Sequence, residues 1–322
     1  MMMRYRNQIF LGVALLVSFI ISRFSNQLDD YFLDIALNVG INIILAVSLN
    51  LVNGHTGQFS LGHAGFMAVG AYGSAIITLN LGPHLTRMLG GGDVGTSITF
   101  LIALLVGGIT AAFFGWIVGV PSLRLRGDYL AIVTLGFNEI IRVVLQNTSG
   151  DSIFGGALGL KGIDTYTNFF WVYGLAAITI YTVGSLVNST YGRGYLAVRD
   201  DEIAAEAMGV NTVRFKVSAF VIGAFFAGLG GGLFAHLRST ISPEGFNFLK
   251  SVDIVVIVIL GGMGSTLGVT IAAIALTVLN EKLRDFEQYR MVIFSLLLVV
   301  MMILRPQGLL PAGAFSKLKK QA

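Results

Sequence analysis

The sequence contains no cysteine, and only 12% of its 322 residues are charged. The absence of cysteine excludes a disulfide framework, a thiol nucleophile and a cysteine-ligated metal site. Soluble domains average about 25% charged residues, whereas this chain is 55% hydrophobic with a mean hydropathy of +0.79. A soluble chain of this length could not bury so much apolar surface. The composition therefore predicts a membrane protein.

Three chemical patterns are also missing. The Lys and Arg residues form no basic stripe interleaved with aromatic residues, so no nucleic-acid partner is expected. No Gly-x-x-x-x-Gly-Lys-Ser/Thr stretch occurs, so the chain has no phosphate-cradling loop of its own. Paired carboxylates, a metal-ligand cluster and a nucleophile with its base do not stand out either. We therefore predict no catalytic and no metal-ligating residues, which leaves a membrane-embedded enzyme as a weak alternative.

Apolar runs of helical length fill the chain. A bilayer core of about 30 Å requires about 20 helical residues, and each span must satisfy its own backbone polar groups. The runs lack the ~10-residue alternation of an outer-membrane barrel. The sequence thus predicts an all-α polytopic bundle of about eight to ten transmembrane helices, forming a single domain over residues 1–322. The candidate spans are 9–24, 32–52, 64–80, 96–119, 129–147, 169–187, 215–237, 252–263, 266–280 and 290–305.

The first run follows Arg4 and Arg6, as the hydrophobic region of a signal peptide would. However, Ser22-Arg23-Phe24 offers no cleavage site between small residues, so we expect this run to be retained as the first span.

Two glycine-rich stretches interrupt the spans. The first break, residues 53–65, reads Asn-Gly-His-Thr-Gly-Gln-Phe-Ser-Leu-Gly-His-Ala-Gly, and the second break, residues 261–265, reads Gly-Gly-Met-Gly-Ser. Residues 252–280 are too long for one ordinary span, so the second break predicts two half-helices or a re-entrant pair. Irregular backbone at membrane depth is tolerated only where protein or a water-filled cavity surrounds it.

Polar side chains concentrate at the first break and in one later span. Neutral polar groups suit a transiently bound zwitterion and could line a translocation path, or they could cap the broken helix ends. Glu139 precedes Arg142 by three residues on one helix face, and it either belongs to the path or forms a neutralising pair. The path candidates are Asn50, Asn53, His55, Gln58, Ser60, His63, Asn138 and Glu139.

The distribution of Lys and Arg predicts the orientation. Cytoplasmic loops carry an excess of these residues, and placing both termini in the cytoplasm puts twelve there against six outside, with Lys282, Arg284 and Arg290 left unassigned. The twelve are Arg4, Arg6, Arg124, Arg126, Arg193, Arg199, Arg214, Lys216, Arg305, Lys317, Lys319 and Lys320.

The longest polar loop, residues 189–214, contains a short helix signal. Asp200, Asp201 and Glu202 favour the positive N-terminal end of a helix, and Gly209 favours its end, so we predict a helix over residues 200–208. A helix of this length is not stable alone in water. It therefore needs a surface to dock against.

This loop resembles the cytoplasmic loop of bacterial ATP-binding cassette importer subunits, which reads Glu-Ala-Ala, three residues, then Gly. Ala204, Ala205 and Gly209 match that pattern, while Ile203 stands in place of the Glu. The resemblance implies that the loop docks on an ATPase subunit. The coupling residues that it implies are Arg199, Asp200, Asp201, Glu202, Ile203, Ala204, Ala205, Glu206, Ala207, Met208 and Gly209.

Three further motifs resemble the branched-chain amino-acid permease family. They run from Ser48 to Tyr72, from Leu123 to Glu139, which includes Arg-Gly-Asp-Tyr at 126–129, and from Leu260 to Gly268. The Arg-Gly-Asp-Tyr stretch is similar to LivM-type rather than LivH-type subunits. Urea and short-chain amide permeases look similar, so the substrate stays open between these classes.

The resemblance implies an importer in the bacterial cytoplasmic (inner) membrane. Its other parts would be two ATPase subunits that hold ATP and Mg, a second, LivH-type permease and an extracytoplasmic binding protein. No cofactor is expected in this chain, and ATP hydrolysis would occur on the partners. An ion-coupled secondary transporter is the alternative from another class, and it would need a buried acidic site such as Glu139.

Overall fold

A computed structural model of the chain describes residues 2–24, 29–123, 129–150, 153–286, 289–304 and 308–310. These residues form a bundle of α-helices, which confirms the predicted all-α membrane class. Among the residues predicted to set the orientation, Arg124, Arg126, Arg305 and the lysines at 317, 319 and 320 lie outside the described residues.

Every predicted span has its helix, with ends that differ by a few residues. Within the described residues, six helices are long and apolar enough to cross a membrane: α2 with the π-helical turn Leu51–His55, and α3, α4, α5, α6 and α9. The helices are α1 (Met2–Phe24), α2 (Asp30–Asn50), α3 (His63–Met88), α4 (Gly92–Ser122), α5 (Tyr129–Asn147), α6 (Phe169–Val187), α7 (Gly192–Asp200), α8 (Glu202–Ala207), α9 (Thr212–Arg238), α10 (Phe248–Gly261), α11 (Thr266–Lys282) and α12 (Arg290–Leu304).

The 189–214 loop lies at one end of the bundle, which we call the loop end. The other end carries a two-stranded antiparallel sheet, β1 (Leu160–Lys161) and β2 (Thr240–Ile241). We call it the sheet end.

Close contacts between glycines hold α3, α4 and α9 together. Gly70 on α3 lies against the backbone of Gly228 on α9, and a Cβ on Gly70 would lie 2.2 Å from the Gly228 Cα. A Cβ on Gly231 would lie 2.0 Å from the Met67 carbonyl oxygen. Helices in a bilayer associate mainly through packing, and small residues let their backbones approach. These glycines therefore determine the central contact of the bundle.

α3 begins in the middle of the bundle. It runs parallel to α9, since Gly70 faces Gly228 and Thr78 Oγ1 lies 3.0 Å from His236 Nε2 further along. In this register His63 lies beside residue 221, about 14 Å from the start of α9 at 1.5 Å per residue. The first break therefore extends from the loop end into the bundle.

α10 and α11 form a hairpin beside α2. At 14 and 17 residues they are about 21 and 25 Å long, shorter than the ~30 Å hydrocarbon core. α11 contacts α2 where Asn42 Nδ2 donates to Thr277 Oγ1 at 2.9 Å. The predicted interruption at residues 261–265 is confirmed, because α10 ends at Gly261 and α11 begins at Thr266.

We expect Gly231→Ala to destabilise the bundle by about 1–3 kcal/mol, because the added methyl group collides with the Met67 backbone. Gly136→Ala is the matched control, since a Cβ on Gly136 meets nothing within 4 Å on α5. Thermal unfolding in detergent measures both variants. An unchanged unfolding temperature for Gly231→Ala would show that the α3–α9 contact is not tight.

Candidate functional site

The first break folds back on the end of α2. The π-helical turn Leu51–His55 continues α2, and Thr56 Oγ1 then donates to the Val52 carbonyl at 2.6 Å. The amide of Gln58 donates to the same carbonyl at 3.2 Å. Asn53 Oδ1 accepts from the Ser60 amide at 3.2 Å. The side chains of the break therefore satisfy a backbone that has left helical geometry.

Three neighbouring helices hold the residues that lead into α3. The amide of Leu61 donates to Thr134 Oγ1 on α5 at 3.0 Å, and the amide of Ala64 donates to Ser251 Oγ on α10 at 3.0 Å. His63 Nε2 lies 2.9 Å from Ser48 Oγ on α2. Since Gly62 provides no side-chain cap, these contacts replace one.

The second break meets the end of α2. Gly262 and Gly264 have φ values of +100° and +83°, which L side chains rarely adopt. The amide of Gly264 donates to Asn50 Oδ1 at 2.8 Å, and the Leu260 carbonyl accepts from the Leu309 amide at 2.8 Å. Asn50 thus joins the end of α2, just before the first break, to the second break.

The predicted path residues divide into two groups. Asn53, Ser60 and His63 are buried and engaged with the broken backbone or with Ser48, so their contacts match the capping alternative. A second group has buried polar atoms without a hydrogen-bond partner in the described part of the chain. They are Asn50 Nδ2, both ring nitrogens of His55, both amide atoms of Gln58 and both amide atoms of Asn138.

Such atoms matter because a buried polar group without a partner costs about 1–3 kcal/mol. Asn138 is 1% exposed and lies against Gly65, at the start of α3. Gln58 is 7% exposed and lines a cavity of about 440 Å³ that also contains Arg199 and Lys216. A polar molecule moving between the breaks would find unused donors and acceptors here.

Glu139 is not a lone acid. Its Oε2 accepts from Arg142 Nε at 2.8 Å on the same face of α5, and the two side chains are 33% and 28% exposed. The sequence left two alternatives for Glu139, a residue of the path or a neutralising pair with Arg142. This geometry matches the neutralising pair.

The 189–214 loop contains two short helices rather than one. The predicted helix over 200–208 begins too early, because Asp200 ends α7 and Asp201 alone separates it from α8. Asp201 is the N-cap: its Oδ1 accepts from the amides of Ile203 and Ala204 at 2.9 and 3.0 Å. An extended Asp201, with ψ 110°, lets its side chain reach those amides.

Gly209 ends α8 as predicted. Its φ is +84°, its amide donates to the Glu206 carbonyl at 2.9 Å, and the amide of Val210 donates to the Ala205 carbonyl at 3.0 Å. This pair of bonds is a Schellman motif, which favours glycine at its left-handed position. A Cβ on Gly209 would meet nothing within 4 Å.

Side chains tie α8 to α9 and to the first break. The Glu202 carboxylate pairs with Lys216, and Glu206 Oε1 accepts from Thr212 Oγ1 at 2.8 Å. A Cβ on Gly57 would lie 3.0 Å from Arg199 Cγ, so α7 touches the first break directly. The role of Lys216 was missed from the sequence, because its partner stands on another helix.

One face of α8 is exposed. Ala205 is 5% exposed and faces the bundle, whereas Ile203 and Met208 are 68% and 84% exposed. Two large apolar side chains are therefore exposed on an otherwise polar loop.

The chain matches the family "Branched-chain amino acid transport system / permease component" over residues 31–305. It is 38% identical to the high-affinity branched-chain amino acid transport system permease protein LivM of Salmonella typhimurium, across 94% of this chain and 73% of that protein. The LivM protein of Escherichia coli K12 is 39% identical over 86% of this chain and 69% of its own length. The LivH protein of the same organism is 26% identical, covering 83% and 90%. No solved structure matches this chain.

We expect Asn50→Leu to speed amide hydrogen exchange in residues 262–266 by about tenfold or more, because the Gly264 amide loses a buried partner worth about 1–3 kcal/mol. Hydrogen–deuterium exchange read by mass spectrometry measures this. Asn80→Leu is the control, since exposed Asn80 bonds only to Ile76 of its own helix. Equal exchange in the two variants would mean that Asn50 does not hold the second break.

Proposed function

The chain belongs to the branched-chain amino acid permease family, and from that premise we propose that it forms one half of the membrane channel of an ATP-binding cassette importer. The substrates that we propose are leucine, isoleucine and valine, delivered by an extracytoplasmic binding protein. The observation that carries the proposal is the exposed, glycine-ended face of α8, and we propose that another subunit covers it.

The occupant of that face would be an ATPase subunit, one on each of two permeases. The exposed apolar side chains Ile203 and Met208 lie at opposite ends of α8, with exposed Ala204 and Ala207 between them. The two alanines would allow the ATPase subunit to approach α8 closely. Ile203 and Met208 would enter a cleft on that subunit. ATP and Mg would be held by the partners, and this chain would need no cofactor.

Movement of α8 would reach the first break through rigid contacts. Glu202 and Glu206 fix α8 to α9, and Arg199 of the adjoining α7 lies against Gly57. Coupling between two sites needs an element with two arrangements that both sites bias. The first break, held by side chains rather than by helical hydrogen bonds, is that element in this proposal.

The translocation path would pass the unpartnered atoms of His55, Gln58, Asn50 and Asn138. Neutral donors and acceptors can bind a zwitterion weakly and release it, whereas a buried charge would hold one end of it. Three of the remaining four candidates, Asn53, Ser60 and His63, would keep the breaks in shape beside that path, and the fourth, Glu139, pairs with Arg142.

The second permease would be of LivH type and would cover α5. Glu139 is the eleventh of nineteen residues in α5, so its partly exposed pair with Arg142 lies halfway along the helix. Insertion scales assign an ionised side chain at the bilayer centre a cost of about 2.5–3.5 kcal/mol. A protein or aqueous neighbour fits this position better than lipid.

We infer that the loop end is cytoplasmic and that the sheet end faces the binding protein. The support is the three arginines of the 189–214 loop, Arg193, Arg199 and Arg214, with Lys216 just after it. Both termini would then be cytoplasmic, in a bacterial inner membrane, and residues 1–322 would act as one permease domain with its coupling loop at 189–214.

Gly209→Asp should reduce ligand-stimulated ATP hydrolysis about tenfold or more in the reconstituted importer. A left-handed non-glycine residue costs roughly 1–2 kcal/mol, and the new carboxylate faces the negative end of α8. Gly162→Asp is the matched control, because Gly162 also has positive φ (+75°) and open space but lies at the sheet end.

Stimulation by leucine, isoleucine or valine that survives in Gly162→Asp and is lost in Gly209→Asp would support both the function and the docking face. Stimulation by urea or a short-chain amide would keep the mechanism and replace the substrate. Ion-driven uptake without any bound ATPase would contradict the proposal in favour of a secondary transporter.

A further inference from the structure

A cavity of about 180 Å³ lies between α2, α10 and α11, on the sheet-end side of the second break. Residues of α10 and α11 line it opposite Ile35, Asn38 and Asn42 of α2. A protein cavity of about 150 Å³ accommodates benzene. The space is therefore large enough for a small amino-acid side chain, with its charged head group nearer the rim.

Two cationic side chains, Arg238 and Lys250, line this cavity. The Arg238 guanidinium carbon and the Lys250 Nζ each lie 6.0 Å from the centre of the Phe234 ring. Arg238 also contacts Asp34, with 3.3 Å between its NH1 nitrogen and Oδ1, and remains 44% exposed. Arg238 and Lys250 both line the cavity, so the carboxylate of a ligand would find two cations there.

Carboxylates line the same cavity. Asp253 of α10 and Glu281 of α11 both contribute to its wall. The cavity thus offers both signs of charge, which is the pattern that a free α-amino acid requires. Glu281 Oε1 already accepts from the Tyr31 hydroxyl at 3.2 Å and from Arg284 NH1 at 3.1 Å, and the ammonium group of a ligand would add to these bonds.

Branched aliphatic side chains complete the lining. Ile254, Ile257 and Leu276 are 1%, 5% and 6% exposed, and all three face the cavity. Apolar contact at the base with charges at the rim matches an amino acid that has a branched aliphatic side chain.

The cavity also leads toward the breaks. Asn42 lines the cavity and donates to Thr277. Further along α2, Asn50 Oδ1 accepts from the amide of Gly264 in the second break. We propose that this cavity is a binding site for a zwitterionic branched-chain α-amino acid, which rests there before it crosses the breaks. The inference rests on the proposed function and adds a substrate site to it.

The test measures saturable binding of radiolabelled leucine to the complete importer in nanodiscs, without binding protein. We expect Lys250→Met to weaken binding about tenfold, as the loss of a charged partner typically does. Ile257→Phe should abolish binding by filling the cavity. Lys282→Met, an exposed lysine outside the cavity lining, should bind like the native chain.

Competitors test the zwitterion requirement. Unlabelled leucine should compete, whereas 4-methylpentanoate, which lacks the ammonium group, and 3-methylbutylamine, which lacks the carboxylate, should compete at least tenfold less well. Equal competition by all three compounds would overturn the site. So would leucine binding by Lys250→Met and Ile257→Phe that equals binding by the native chain.

The same preparations are assayed for ATP hydrolysis stimulated by the loaded binding protein. Stimulation in the native chain and in Lys282→Met, with leucine binding weakened by Lys250→Met and abolished by Ile257→Phe, supports the site. Stimulation without any leucine binding overturns the site alone. Absence of stimulation in the native chain overturns the proposed function and, with it, this inference.

Discussion

Backbone groups that leave helical geometry inside a bilayer must find partners in the protein, because lipid offers none. The organisation of this bundle follows from that constraint. The two breaks release amides and carbonyls in the middle of the structure, and the side chains of Asn50, Thr134 and Ser251 bond to three of the released amides. Since these side chains stand on three different helices, the breaks also determine how α2, α5 and α10 are placed around the start of α3.

Irregular backbone of this kind is costly in free energy. In this bundle it lies between the 189–214 loop at one end and a cavity at the other. The first break touches Arg199 at the loop end and reaches the α2 segment that holds the second break. The cavity at the sheet end lies beyond the second break. In the proposed function, a signal at α8 and a ligand at the other end of the bundle would therefore act on the same few residues. Tight glycine contacts among α3, α4 and α9 would keep the surrounding helices fixed while those residues rearrange.

Features encoded in consecutive residues could be predicted from the sequence. Apolar runs give the spans, glycine runs give both breaks, and Gly209 ends α8 because its left-handed φ favours glycine. The division between α7 and α8 at Asp201 was missed, because three acidic residues in a row do not reveal which one is the N-cap. Pairings such as Asn50 with Gly264 join residues far apart in the chain, and no local pattern encodes them. For the same reason the sequence could not separate capping Asn53 from unpartnered Asn138.

The proposed coupling requires the 189–214 loop and the first break to move together. Because the chain has no cysteine, spin labels can be attached to cysteines introduced at Phe59, Arg193 and Ile153, whose side chains are exposed. Arg193 lies on α7 and so leaves the α8 face free for the ATPase. Electron–electron double resonance on the assembled importer, with and without trapped ATP, measures the distances between the labels. We expect the Phe59–Arg193 distance to stay constant while the distance from Phe59 to Ile153 at the sheet end changes. A Phe59–Arg193 distance that changes while the Phe59–Ile153 distance stays fixed would contradict this coupling.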